Sequence, residues 1–396
     1  MKINGVESGV ILTSLVEHLY AKVVNRTAKF PLPIKVIDSP ELVKSILMAP
    51  DVFVKNYGFI ENLSKGRFSA NGHDWKARAS ITQSFYSQAT NLLDEDVIED
   101  IYLQHLRAFS DQADGNLYET FVAAALEVVS KTFHLETAIP WPPVLVNRAR
   151  DCLMDQQAMA WEQVQPEVFE QSQKALSDIY NAFNVLWASD SDLTALLERF
   201  SDQALGIENF SATGEMLQNL FASTETTASS MLWILECITR HADYQAVLKV
   251  DDDALDYFID EALRLFPPVP FVTRVCNNAT EIDGVAFAQD EPMIISIIGV
   301  HSDPSQWKDP LTFMIKRPEF VDASYARHAY IPFLSGPRTC AGMKLAKQEV
   351  KSGVRAILKL FTISPCIEPR KLEYGISSRP GVGLSPYLMK IVTGNS

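Results

Sequence analysis

Across residues 93–133, and again across 166–200, apolar residues return every three or four positions with few breakers, which predicts packed amphipathic helices. The run Trp141-Pro142-Pro143 punctuates them. The ends of the chain read differently. Residues 31–37 form an extended segment, and Pro40 then opens a helix carrying Leu42, Val43 and Leu47. From residue 277 onward short extended runs return, over 281–287 and 293–300, with Gly284 and Pro292 as turn signals. A last amphipathic stretch covers 343–360. The pattern predicts a mainly α fold with small β-sheets. At the N-terminus the apolar piece 10–16, broken by Thr13 and Ser14, is too short for a signal peptide or a membrane anchor, so residues 1–30 are expected to be a leader ahead of the fold.

No linker or repeat divides the 396 residues, so a single domain over 1–396 is expected. With 47% apolar and 21% charged residues the chain has a core to bury. A formal charge of -14, with no basic arm, argues against a nucleic-acid partner. The five cysteines (Cys152, Cys237, Cys276, Cys340, Cys366) are odd in number and scattered, which predicts a reducing compartment and a cytoplasmic protein. The seven histidines form no metal-binding spacing and read as surface or structural residues.

One cysteine stands apart. Cys340 ends the turn-rich run 332–342, just ahead of the amphipathic stretch, where unpaired backbone N–H groups and the helix dipole favour a thiolate. Phe333, Gly336, Arg338, Cys340 and Gly342 follow the spacing Phe-x-x-Gly-x-Arg-x-Cys-x-Gly. This resembles the haem-binding signature of the cytochrome P450 superfamily, soluble bacterial-type members included. The resemblance spans roughly residues 30–390 and implies the family's triangular, helix-dominated fold. It also implies haem b with Cys340 as axial iron ligand, Phe333 packed beside the sulfur, Gly342 admitting the backbone, and Arg338 at a haem propionate.

Three further motifs stand in the family's order. Glu261 and Arg264 lie three apart and can pair on one helical face. In the family such a pair is structural, and the later Arg274 binds a propionate. The missing family arginine near Pro318 is supplied by Arg317 or Arg327. The segment 220–228 sets polar residues in an apolar helical run; Thr hydroxyls that bond back to the preceding turn are one account of it. The resemblance implies another, with Glu225 and Thr226 as an acid-alcohol pair delivering protons. Ser223 stands where the family usually has glycine, and would narrow the oxygen groove or bond a water. Finally, Trp75-x-x-Arg78 departs by one residue from the family's Trp-x-x-x-Arg, and Arg78 is expected to contact a propionate.

The function implied is a haem-thiolate monooxygenase inserting one atom of dioxygen into a small hydrophobic organic substrate, typically by hydroxylation. A haem-thiolate peroxygenase and a non-catalytic haem sensor or ligand carrier are the alternatives. Phe221, Ala222, Val269, Phe271 and Val272 are expected to line the pocket. Tyr57, Phe59, Ile60 and Ile376 join them. The chain has no appended reductase segment, so a separate electron donor is expected, an acidic ferredoxin with its reductase. Lys344, Lys347, Lys351 and Arg355, recurring on one helical face, are its expected docking ladder.

Overall fold

The computed structural model describes residues 2–3, 5–27, 29–112, 115–161, 165–381 and 383–390. Helices of nine residues or more are α1 (Ser8–Val24), α2 (Pro40–Met48), α3 (Gly72–Leu92), α4 (Glu95–Ser110), α5 (Leu117–Thr132) and α6 (Pro143–Met159). They continue with α7 (Pro166–Trp187), α8 (Ser191–Gln203), α9 (Ala212–Arg240), α10 (Asp252–Leu265) and α11 (Met343–Leu360). The periodic segments thus fold as expected, each as two helices rather than one, with α6 starting at Pro143.

The 29-residue helix α9 is buried over nearly its whole length, and α5, α10 and α11 pack against it. Its N-terminus is closed by Ser211, whose Oγ accepts the Gly214 N–H at 2.9 Å. Two apolar clusters flank it. One joins α4, α10 and α11 through Tyr102, Phe258 and Val354, and the other joins α3, α5, α7 and α8 through Tyr86, Val129, Trp187 and Phe200. Burying apolar area on this scale is the main favourable term in folding.

A four-stranded sheet comprises β1 (Lys35–Ile37), β2 (Phe53–Val54), β3 (Phe271–Cys276) and β4 (Pro292–Ser296), in the order β1-β4-β3-β2. Strand β1 runs parallel to β4, while β3 is antiparallel to both its neighbours. Its register sets Phe271 opposite Ser296 and Arg274 opposite Met293. The expected extended run 281–287 is a hairpin turning at Asp283-Gly284, both at positive φ. Only the first half of 293–300 is strand; from Ile297 it forms a helical turn opened by Ser296, whose Oγ accepts the Gly299 N–H at 3.1 Å.

The leader expectation is corrected. Helix α1 buries Leu12, Leu15, Val16 and Leu19 against Phe271, Ile294, Ile298 and Tyr374, so this segment is part of the packed body. Its apolar positions are spaced for one buried face, which a search for a long apolar run overlooks. Among the described residues no helix is long and apolar enough to cross a membrane.

Candidate functional site

The loop ahead of α11 turns back on itself before the helix starts. Leu334 and Gly336 take positive φ, and a Cβ on Gly336 would sit 2.7 Å from the Leu47 carbonyl oxygen, so only glycine fits there. The Cys340 N–H donates to the Phe333 carbonyl at 3.0 Å, closing the loop under the cysteine. The helix begins three residues later, at Met343.

Cys340 is exposed, but into a cavity of about 770 Å³ rather than at a helix end on the surface. Burial raises its thiol pKa, while the Gly342 N–H and the cations Arg67 and Lys55 work against that rise. The net direction is opposite to the one a helix N-terminus alone predicts, because desolvation by the surrounding protein outweighs the dipole.

All nine apolar candidates face this cavity, as do Phe333, Arg338, Gly342, Arg274 and Thr226. Two expected site residues do not. Arg78 is fully buried elsewhere, donating from Nε to Asp74 at 2.8 Å and from its terminal nitrogens to the Lys65 and Glu208 carbonyls at 3.1 Å each. Its guanidinium is taken up by the Asp74 carboxylate one helical turn earlier and by those two carbonyls, whereas Trp75 of the same motif lines the cavity.

Glu225 is the second correction. Its carboxylate accepts Arg150 Nε–H at 2.8 Å and the Tyr118 hydroxyl, on the side of α9 away from the cavity. Neighbours on a helix diverge in direction, so the acid and Thr226 do not meet. The Thr226 hydroxyl donates to the Ala222 carbonyl at 2.8 Å, and Ser223 likewise bonds back to Asn219 at 2.7 Å. Back-bonding therefore accounts for the polar run locally, while Thr226 and Ser223 still line the cavity.

Sequence reading missed the cationic wall. Lys55 and Arg67 join Arg274 and Arg338 around the cavity, and none of the four side chains pairs with a carboxylate among the described residues. Burial, then the neighbouring Arg338, Arg274 and Arg67, holds Lys55 well below an ordinary lysine. Burial and Arg274 push Arg338 down to about 10. Arg274 donates from Nη1 to the Thr273 carbonyl at 2.7 Å, while its buried Nη2 has no partner among the described residues. Arg338 lies 4.4 Å over the Trp75 ring and donates to the Ala70 carbonyl at 2.8 Å. Crowded cations with an orphaned donor fit a dianion, and haem carries two propionates. With the Cys340 sulfur opening into the same apolar space, the residues present fit haem. Arg274, Arg338, Lys55 and Arg67 would hold its carboxylates, and Cys340 its iron. Among the described residues no group of three metal-ligating side chains forms another metal site.

Behind the loop, Glu261 receives Arg264 as a fork, Nε at 2.7 Å and Nη2 at 2.9 Å, and Arg317 Nε at 3.0 Å to both its oxygens. All three are fully buried. Arg317, and not Arg327, thus supplies the missing arginine, its Nη1 also reaching the Lys308 carbonyl at 2.6 Å. Arg264 donates to the His301 and Pro310 carbonyls, and His301 Nε2 accepts the Ile331 N–H at 2.8 Å. Burial pushes His301 down to about 3, so it is neutral and its Nδ1 donates to the Arg264 carbonyl at 3.1 Å. The triad is tied through His301 to the chain entering the cysteine loop.

The expected docking ladder is charge-balanced. Lys351 pairs with Asp256 at 2.7 Å, Lys347 with Asp260 at 3.7 Å, and Arg355 with Asp252 at 2.6 Å and with Glu95. Of the four only Lys344 has no ion pair among the described residues. The acids come from α4 and α10, remote in sequence.

On the inner face of α11, Glu349 is buried with the Tyr102 hydroxyl donating to it at 2.9 Å, and burial pushes its pKa up to about 8 from 4.5. The native state holds this proton more tightly than the unfolded chain does. Stability is therefore lost as pH rises from about 4.5 to about 8, by on the order of 5 kcal/mol. Glu349→Gln stays neutral, so its stability relative to the parent should rise between about pH 4.5 and about pH 8, measured by denaturant midpoints. Parallel pH profiles for the two proteins would contradict this.

The Cytochrome P450 family model matches residues 96–391. Mouse cytochrome P450 3A13 is 32% identical over 199 residues, covering 44% of this chain and 38% of that protein. Human cytochrome P450 3A5 is 31% identical over 175 residues, covering 39% and 35%. The matched segment thus spans well under half the length of these relatives. Among solved structures, CYP175A1 from Thermus thermophilus superposes with a TM-score of 0.73 at 19% identity, covering 95% of this chain and 94% of that one. A 6-coordinated cytochrome P450 from a second strain of Thermus thermophilus gives 0.69 at 20% identity, covering 94% and 96%. These likenesses show the mainly helical fold with its small sheets.

Proposed function

Because the chain belongs to the cytochrome P450 family, we propose that it is a haem-thiolate monooxygenase that inserts one atom of dioxygen into a hydrophobic organic substrate, typically as a hydroxyl group. The observation that carries this reading is the meeting of Cys340, unpaired cations and apolar side chains on the walls of one cavity of about 770 Å³. When bound, haem supplies the oxygen chemistry, with thiolate ligation favouring O–O cleavage.

This chain's residues supply the rest. Phe221, Ala222, Val272 and Ile376 exclude water and orient an apolar substrate. Thr226 and Ser223 place hydroxyls on the α9 wall, each able to swing from its own helix carbonyl toward the cavity and pass on a proton. Glu225, held by Arg150 and Tyr118, is not in reach of that wall as it stands. Electrons come from a separate single-electron donor. The charge-balanced face of α11 gives the choice of an acidic ferredoxin no support.

Thr226→Ala should lower the fraction of reductant converted to product severalfold, while substrate Kd changes by less than about twofold, because the hydroxyl is lost and the apolar contacts stay. Reductant use, product yield and substrate binding are measured together. Unchanged coupling with a large loss of binding would move Thr226 from proton delivery to substrate recognition.

A further inference from the structure

Gln157 and Trp161 stand four residues apart, at the end of α6 and in the turn that follows it, and so share a face. Gln157 Nε2 donates to the Tyr374 hydroxyl at 3.2 Å, the Tyr374 ring stacks on Phe271 at 5.8 Å, and Phe271 meets Trp161 edge-on at 6.4 Å. These four side chains close an arc, and all four line the cavity.

Two donors in the arc have nowhere to go. Among the described residues the buried Trp161 indole N–H has no partner, and the Tyr374 hydroxyl, already accepting from Gln157, has no acceptor for its own proton. Burial keeps that phenol neutral, pushing it up to about 12, so the proton is there to give. Buried donors are almost always satisfied, by protein, ordered water or ligand. We propose that Trp161 and Tyr374 are the polar subsite of the substrate pocket, and that they orient an otherwise apolar substrate by donating to one uncharged carbonyl oxygen on it.

The choice of an uncharged acceptor follows from the arc itself. It contains no Lys, Arg or His; of the cavity's cations Lys347 pairs with Asp260, and the other four lie together around Arg274 and Arg338, where they fit the propionates. A carboxylate here would be desolvated without a counter-charge, which costs far more than burying a carbonyl. Phe271 and the ring faces of Trp161 and Tyr374 supply apolar contact around the acceptor, the usual make-up of a specificity pocket.

This inference rests on the monooxygenase reading of the cavity. Its test uses the haem-loaded full chain and three probes of equal carbon number, 2-nonanone, nonane and nonanoate, with binding read by equilibrium dialysis and by the substrate-induced change in the haem spectrum. The ketone should bind about tenfold tighter than the alkane, and nonanoate more weakly than the ketone. Trp161→Phe and Tyr374→Phe should each weaken ketone binding by about threefold or more while alkane binding stays within about twofold. Either variant suffices if the other fails to fold. Equal affinity for ketone and alkane, or variants that leave ketone binding unchanged, would mean that water satisfies these donors and would overturn the subsite. Tighter binding of nonanoate than of the ketone would overturn the uncharged acceptor. A parent protein without a thiolate-type haem spectrum defeats the monooxygenase reading; an intact spectrum without ketone preference defeats this inference alone.

Discussion

Glu261→Gln is expected to lose about 3–5 kcal/mol of stability and to retain little haem after purification. Glutamine matches the shape but removes the negative charge that Arg264 and Arg317, each fully buried, both pair with closely, leaving Glu319 at 3.8 Å from Arg317 as the remaining acid. Neither guanidinium can relax into water, and the Met314 N–H that also points at the carboxylate, at 3.0 Å, loses its charged acceptor. Domains carry only about 5–15 kcal/mol in total, so this loss takes a large share. Because Arg264 also holds the His301 carbonyl and His301 holds Ile331, the damage should extend to the chain that enters the cysteine loop. Denaturant unfolding and haem retention are compared with Glu281→Gln, an exposed residue on the 280–287 hairpin. A Glu261→Gln protein within about 1 kcal/mol of that control would show that the triad is not a buried, mutually dependent unit.

The parts of the site that were legible in the sequence are those confined to one short stretch. The loop from Phe333 to Gly342 shows itself because its turn residues, its cysteine and the start of α11 are adjacent, and Glu261 with Arg264 because a helix brings positions three apart together. Where partners come from distant segments the reading fails. Lys55 and Arg67 lie in irregular chain ahead of α3 and look like surface cations until the fold turns them to the cavity. Arg78 keeps its place in a motif but is held by Asp74 and two carbonyls, the carbonyls from segments outside its helix. The charge ladder on α11 is regular in sequence and neutralised in space by Asp252, Asp256 and Glu95. Trp161 and Tyr374, more than two hundred residues apart, are brought together by Phe271 and Gln157.

The other large effect belongs to Cys340. Its sulfur opens into the cavity on a loop whose form depends on Gly336 and on the Cys340 N–H to Phe333 bond, so replacing the side chain alone leaves that backbone in place. Cys340→Ser removes one atom's softness and charge while keeping its size, and oxygen from serine is a poor substitute for thiolate toward iron. The variant should fold, bind haem weakly through the cationic wall and the apolar pocket, and lose monooxygenase turnover altogether. None of the other cysteines can take over, since Cys237, Cys276 and Cys366 are buried away from the cavity and Cys152 does not line it.

The most direct test is therefore the absorption spectrum of the reduced, haem-loaded protein under carbon monoxide, recorded for the parent and for Cys340→Ser. The parent should show the red-shifted Soret band of a thiolate-ligated iron and the variant should lack it. A parent without that band, or a folded variant that keeps it, would contradict Cys340 as the residue that holds the iron.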